Sequence, residues 1–203
     1  TSINKKINEL VDSITLICDE RGAVAKILFT ERAHHATELV QENLHQENWR
    51  AIVAVGGDGT VNEIAAALVG QAVPLGIIPL GSGNGLARHL RIPLDLNKAL
   101  VKLFEGAVHT IDTALIDHHP FFCTSGMGFD AYVGQAFSQQ KTRGLSTYVK
   151  VSLQSYFKYK PQKIKVNGQP IKFFSLSFAN AGQFGNNAWV APQANLQDGF
   201  LDM

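Results

Sequence analysis

The sequence predicts an α/β protein in two parts: an α/β unit with a parallel sheet over residues 1–108, then a mainly antiparallel, β-rich unit over residues 109–203. Three observations carry that reading. Short β-branched runs alternate with stretches of helical periodicity as far as about residue 108, the pattern of parallel strands joined by crossover helices. Glycines cluster at 56, 57 and 59, at 81, 83 and 85, at 126 and 128, and at 182 and 185, each time after an apolar run, where a strand would turn into a loop. Beyond a boundary near Ala107–Asp112 the texture changes, and Asn167-Gly168, a dipeptide favoured in two-residue hairpin turns, sits inside the alternating stretch Lys163–Phe174.

Residues 3–21 read as a helix, with Ile3, Ile7, Leu10, Val11, Ile14 and Ile17 or Cys18 on one face. Ala23–Phe29 is expected as a strand and Ala33–Asn48 as a second helix. Ala51–Val55 is a short, wholly apolar run of the kind buried in a parallel sheet. Thr60–Val69 looks helical, Val73–Pro79 forms another apolar strand, and Asp95 caps a helix that ends at Glu105. In the second part Val108–Ile116 and Phe121–Ser125 are expected strands, with helical stretches at about 129–140 and 145–159.

Composition narrows the class. Of 203 residues, 45% are hydrophobic and 17% charged, so a packed core is affordable and disorder is excluded. Eighteen basic against 17 acidic side chains leave a net charge of +1, far from the basic field of a general nucleic-acid binder. Cys18 and Cys123 stand alone, without CxxC spacing, so neither a disulfide framework nor a thiolate metal site is available and a reducing compartment is expected. No apolar run approaches the roughly 20 residues that span a bilayer, and TSINKKINEL is no signal peptide. A soluble cytoplasmic protein is the expectation.

The chemistry concentrates in Val53-Ala-Val-Gly-Gly-Asp-Gly-Thr-Val-Asn-Glu63, a buried strand that ends in a glycine loop and opens a helix. Glycines allow a ligand close to the backbone, and free N–H groups at a helix start attract phosphate. Asp58 inside that loop would repel a bare phosphate. It makes sense if magnesium lies between them, or if Asp58 takes a proton from an attacking hydroxyl. A strand–helix turn with Asp58 as a mere cap is the plainer alternative. No lysine follows the glycines, so the loop is not a Walker A motif. A second loop, Pro79-Leu-Gly-Ser-Gly-Asn-Gly-Leu-Ala-Arg88, repeats the arrangement and offers the Ser82 hydroxyl and the Asn84 amide, with Arg88 or Arg91 for phosphate. Two such loops at the carboxyl ends of parallel strands should line one crevice.

GGDGTVNE followed by PLGSGNGLAR resembles the diacylglycerol kinase catalytic-domain family of lipid kinases, which includes sphingosine and long-chain-base kinases and soluble bacterial diacylglycerol kinases. The resemblance continues through Gly126-Met-Gly-Phe-Asp-Ala131 and Ala191-Pro-Gln-Ala-Asn-Leu-Gln-Asp-Gly-Phe-Leu-Asp202, and so covers nearly the whole chain. It implies a Rossmann-like α/β nucleotide-binding domain over 1–108 and a mainly antiparallel β-sandwich-like domain over 109–203, incomplete at its C-terminus. It implies ATP and magnesium as cofactors and a lipid as substrate, phosphorylated on a primary hydroxyl. Gly56, Gly57, Asp58, Gly59 and Thr60, with Asn62, would hold the ATP phosphates; Thr30, Ser82 and Asn84 would complete the nucleotide site. Asp58 and Asp130 are the candidate catalytic carboxylates, Asp130 facing the lipid head group. Asn195, Asp198 and the carbonyl of Phe200 match a structural magnesium site. A lipid substrate implies transient contact with a membrane surface, and a homodimer is left open.

The sequence also departs from the family pattern. Asn84-Gly85 stands where many bacterial diacylglycerol kinases carry Asn-Asp, and the chain shows neither an opening strand with an Asn-Pro-x-Ser-Gly loop nor the glutamate expected as catalytic base beyond Met203. The expectation is a fragment of a longer kinase. GGDG alone is shared with NAD kinases and phosphofructokinases, so an NAD kinase-type enzyme is the alternative, as is a nucleotide-binding regulatory module without catalysis. The Val-Asn-Glu continuation and GSGNGLAR favour the lipid branch.

Other signals carry less. Gly126-Met-Gly-Phe-Asp-Ala131 mimics a dinucleotide fingerprint but lies in the β-rich part, with no acidic residue about 20 positions on. The pairs His34-His35 and His118-His119 point neighbouring rings apart and have no third ligand in register. Residues 145–165 interleave Tyr148, Val149, Leu153, Tyr156 and Phe157 with five lysines, a pattern open to two readings: a basic membrane-facing surface, or a helix packed in its own domain.

Overall fold

A computed structural model describes residues 2–140, 142, 144–166 and 168–203. The chain divides into two compact units, Thr1–Thr110 and Ile111–Met203.

In the first unit, helix α1 (Ser2–Glu20) turns its half-buried stripe, Leu10, Val11, Ile14 and Ile17, toward helix α5 (Leu96–Glu105). An exposed ion pair, Arg21 Nη2 to Glu105 at 2.9 Å, marks the far end of that contact. Asp95 caps α5 by accepting the Lys98 N–H at 3.0 Å, as expected. Strands β1 (Ile52–Gly56) and β2 (Leu75–Pro79) pair in parallel, Ile52 opposite Leu75 and Gly56 opposite Pro79. Helix α3 (Asp58–Leu68) follows β1 directly and buries Val61, Ile64, Ala65 and Leu68, packing on β1 and on helix α2 (His35–Asn43). Helix α5 lies on β2 closely enough that a Cβ on Gly76 would fall 2.3 Å from Leu103 Cδ1. Ile77, Ile78, Ala99 and Leu100 are buried in this layer. A five-residue helix, α4 (Gly85–His89), was not foreseen.

Two expectations are corrected here. Ala23–Phe29 forms no strand; Val24 is 98% exposed and Leu28 and Phe29 are exposed as well. Its composition suits a strand, but a strand exists only through its ladder, and among the described residues none pairs with it. Helix α2 is shorter than 33–48, because His34 takes a left-handed backbone (φ 64°) at its start and the chain passes into turns after Asn43.

The second unit is rich in short strands, and its strand pairs are antiparallel among the described residues. β3 (Ala114–Ile116) and β4 (His119–Phe121) form a tight hairpin with Asp117 at positive φ. β5 (Thr124–Gly128) leads into α6 (Phe129–Ser138) and then α7 (Leu145–Tyr156), which pack together. β6 (Gln162–Val166) and β7 (Gln169–Phe173) make the expected hairpin; Asn167 lies outside the described residues, and Gly168 has φ 82°. β8 (Ser175–Ala179) pairs with β5, and β9 (Gln183–Gly185) with β10 (Ala188–Trp189). The strand expected over Val108–Ile116 begins only at Ala114, since Asp112 donates its N–H to the Leu196 carbonyl (2.7 Å) rather than to a strand. Gly128, at φ 92°, would place a Cβ 2.6 Å from the Phe174 carbonyl oxygen. The glycines of the dinucleotide-like motif thus serve the close approach of β5 and β8.

Candidate functional site

Parallel pairing sets Gly56 opposite Pro79, so the loops after β1 and β2 leave the sheet at the same end. Leu80 N–H bonds to the Gly56 carbonyl (2.8 Å), and beyond it the two glycine loops touch. A Cβ on Gly81 would lie 2.5 Å from Gly57 Cα, and one on Gly56 would lie 2.8 Å from Thr60 Oγ1. Gly56 and Gly81 are therefore demanded by the packing of the loops on themselves, and Gly57 is tight, its Cβ position 3.1 Å from Gly81 Cα. Gly59 differs: nothing lies within 4 Å of its Cβ position. It is the second residue of α3, and the first N–H to turn back is that of Val61, onto Gly57 O at 3.0 Å. The N–H groups of the first turn, at Asp58, Gly59 and Thr60, precede it and have no acceptor within the helix. The turn is thus polarised toward an anion and unshielded by a side chain at Gly59.

Asp58 joins the loops. Its Oδ2 accepts the Asn84 N–H at 2.8 Å and its Oδ1 the Gly85 N–H at 2.7 Å, which caps α4 from another element. Asn84 stands at positive φ (55°), 6% exposed, with its Oδ1 accepting the Gly81 N–H (2.9 Å) and its Nδ2 donating to the Gly81 carbonyl (2.7 Å). Asn84 works inside its loop, whereas Ser82 and Asn62 are exposed. The Arg88 Nε–H is held by the Gly83 carbonyl at 3.0 Å. Burial, with the Arg91 charge second, pulls the His89 imidazole below its ordinary range at the end of α4. Thr30 is exposed in the irregular segment before α2, and that segment is tied to α3 through Glu63, a residue to which the sequence reading gave no role.

In the second unit Asp130 is the second residue of α6. Its Oδ2 accepts the hydroxyls of Ser175 and, at 3.3 Å, Ser177, which sit two apart on β8 opposite Gly128 and Gly126. These serines were also missed; the Ser-x-Ser spacing on one strand face was the available signal. Burial, and after it the Asp130 charge, raises the Tyr148 phenol above its ordinary range. Phe129 stacks on Phe174 with centroids 4.7 Å apart, and Tyr156 and Tyr159 pack around that pair. Ser177 also borders a cavity of about 210 Å³ shared with Ala179, Ala191 and Asp202. Asn195, Asp198 and Phe200 share one exposed loop: Asn195 Oδ1 accepts the Gln197 N–H (3.1 Å) and Asp198 Oδ1 the Phe200 N–H (3.0 Å). The next N–H, that of Gly199, goes to Asp112 Oδ2 at 2.7 Å. Among the described residues no cluster of three or more His, Cys, Asp or Glu side chains could hold a metal ion.

Two glycine loops locked together at helix starts, followed by a unit of antiparallel pairs that holds a carboxylate on serine hydroxyls, define a two-part α/β protein. Residues 1–116 match the diacylglycerol kinase catalytic domain, and residues 124–203 match the YegS C-terminal NAD kinase beta sandwich-like domain. The chain belongs to the diacylglycerol kinase catalytic domain family, a family of kinases. It is 29% identical to a protein of Klebsiella pneumoniae (strain 342) named "Probable lipid kinase YegS-like", over 96% of this chain and 68% of that one. A protein of the same name from Xanthomonas campestris pv. campestris is 29% identical over 97% of this chain and 68% of its own length. A crystal structure of a diacylglycerol kinase from Bacillus anthracis str. Sterne superposes with a TM-score of 0.61 at 26% identity, covering 86% of this chain and 58% of that one. A second crystal structure from that organism shares the fold more fully, with a TM-score of 0.73 at 22% identity over 96% of this chain and 66% of the other. The chain thus spans about two thirds of the length of these relatives. No helix among the described residues is long and apolar enough to cross a membrane.

Proposed function

We propose that the chain acts in an ATP- and magnesium-dependent lipid kinase that moves the γ-phosphoryl group to a primary hydroxyl of diacylglycerol or a sphingoid base. One observation carries the reading: the Asp58 carboxylate binds the N–H groups of both Asn84 and Gly85, so the two glycine loops close on each other beside the bare first turn of α3. That turn fits nucleotide phosphates, because its N–H groups lack helical acceptors and Gly59 presents no side chain. Each Asp58 oxygen receives one N–H and keeps lone pairs for a hard cation, the ligand type magnesium takes. Magnesium, when bound, supplies neutralisation of the charge that develops on the transferring phosphoryl group. The protein's part is positioning: α3 orients the phosphates, Ser82 offers a hydroxyl to the nucleotide, and the locked loops hold that geometry before ligand arrives. Asp130, oriented by Ser175 and Ser177, suits a hydroxyl or an amine of the lipid head group, and the neighbouring aromatic rings suit its apolar part. The Asn195–Phe200 loop is proposed as a structural magnesium site built from oxygens of Asn195, Asp198 and the Phe200 carbonyl.

The lipid would be met at an anionic membrane surface. Residues 131–197 contain eight lysines and arginines and no aspartate or glutamate, although the whole chain is nearly neutral. On α7 and its end, Val149, Leu153, Tyr156 and Phe157 follow i, i+4, i+7, i+8 spacing and stay exposed, Phe157 at 85%, while Val151 and Ser155 face inward. Exposed Lys150, Lys158 and Lys160 flank that stripe. An apolar stripe rimmed by lysines matches a bilayer whose headgroups are anionic. A panel of lipids incubated with the intact protein and ATP, with NAD as a parallel acceptor, tests the reading: lipid phosphate is expected, and phosphate on NAD alone would replace it with an NAD kinase.

A further inference from the structure

We propose that Glu63 is a positioning residue for the nucleotide, fixing the Thr30 segment to the helix that carries the first glycine loop; the inference rests on the nucleotide reading above. Helix α2 begins at His35, and its N-cap, His34, has a left-handed backbone and no side-chain cap of its own. The missing acceptors come from α3. Glu63 Oε1 accepts the His34 N–H at 3.0 Å, and Oε2 accepts the Ala36 N–H at 3.3 Å. The Glu63 carbonyl also accepts the Thr37 hydroxyl at 3.1 Å. A carboxylate 27 positions away in sequence thus does what a Ser, Thr or Asp at the N-cap ordinarily does.

The location gives this cap its consequence. Thr60 and Glu63 are three residues apart on α3, so they share one face. Asp58, at the start of the same helix, holds the second glycine loop. One helix therefore fixes segments on two sides: the Asn84 loop through Asp58, and residues 30–36 through Glu63. The short segment is braced within itself too, since His35 Nδ1 accepts the Glu31 N–H (3.0 Å) and Arg32 pairs with Glu38. Glu63 has both oxygens turned to N–H donors of the protein. Its contribution to nucleotide binding is to hold Thr30's segment in register with the α3 turn, which lowers the ordering cost of binding.

The test is ATP titration of the intact protein by calorimetry in excess magnesium, with amide hydrogen exchange read at residues 34 and 36. Glu63→Ala should weaken ATP about tenfold, the scale of a lost charge-assisted cap that preorganises a site, and accelerate exchange at both amides. Glu63→Gln keeps one acceptor and should fall between Ala and the wild type, which also serves if Ala folds poorly. Asp95→Ala removes a comparable cap from α5 in the same unit and should leave ATP affinity unchanged. Wild-type affinity in both Glu63 variants overturns the inference while leaving the nucleotide reading intact, and so does an equal loss in Asp95→Ala. Absence of ATP binding by the wild type overturns the nucleotide reading, and the inference falls with it.

Discussion

The Asp58 carboxylate accepts the Gly85 N–H at 2.7 Å, so the residue that opens one helix also caps the next. Its other oxygen takes the Asn84 N–H at 2.8 Å. The carboxylate that marks the GGDG motif is an anchor between the two loops and belongs to the first residue of α3.

Replacing Asp58 by Asn leaves one oxygen to serve two N–H groups and sets an NH₂ against the other. The loss of a charge-assisted bond should cost about 1–2 kcal/mol of stability. Urea unfolding of Asp58→Asn against wild type measures it. An unchanged midpoint would mean that the Asn84 and Gly85 amides find other acceptors.

Two glycine substitutions should part company. Gly81→Ala forces a Cβ to within 2.5 Å of the Gly57 backbone, where nothing flexible can give way, and should cost roughly 1–3 kcal/mol as overpacking. Gly59→Ala enters open space inside a helix and should be neutral or stabilising by about 0.5–1 kcal/mol. Gly59→Ala should nonetheless lose ATP binding, because the methyl group fills the approach to the first-turn N–H groups. Retention of ATP affinity in Gly59→Ala would move the phosphates away from that turn.

His89 carries a pH signature. Burial, then the Arg91 charge, lowers its pKa in the folded chain below the ordinary 6.5. The unfolded chain therefore takes up the proton first as pH falls. The stabilisation is complete above pH 6.5 and is lost between that value and the depressed folded pKa. His89→Gln should flatten this acid-side loss in thermal melts between neutral and mildly acid pH. An identical slope in the variant would assign the loss to other groups.

Much of this architecture was readable from local pattern, and what was not has a common cause. The parallel pair β1–β2, the Asp95 cap and the Lys163–Phe174 hairpin follow from apolar runs, one cap residue and a turn dipeptide, all of them short-range signals. Ala23–Phe29 has strand composition but no ladder among the described residues, and pairing is decided by segments far along the chain. Glu63 and the Ser175–Ser177 pair escaped because their partners lie 27 and 45 residues away. The glycine motif flagged two loops that meet at one end of the β1–β2 pair. The division of labour within it, Gly57 and Gly81 for packing against Gly59 for open space, required coordinates.

The basic stretch invites charge reversal. Lys150, Lys158 and Lys160 changed together to Glu should reduce sedimentation with anionic vesicles severalfold, while neutral vesicles should show little difference. The three side chains are exposed, so the fold should persist, as circular dichroism would verify. Undiminished binding to anionic vesicles would remove this face from membrane contact.

The most direct measurement is phosphoryl transfer from radiolabelled ATP to a panel of diacylglycerols and sphingoid bases by the intact protein, wild type and Asp58→Ala, with products identified by mass spectrometry. Wild type should phosphorylate a primary hydroxyl of at least one lipid in the presence of magnesium, and Asp58→Ala should remain folded and transfer none. A near-wild-type rate in Asp58→Ala, or wild type that binds ATP yet phosphorylates no lipid, would contradict a lipid kinase built on the two locked glycine loops.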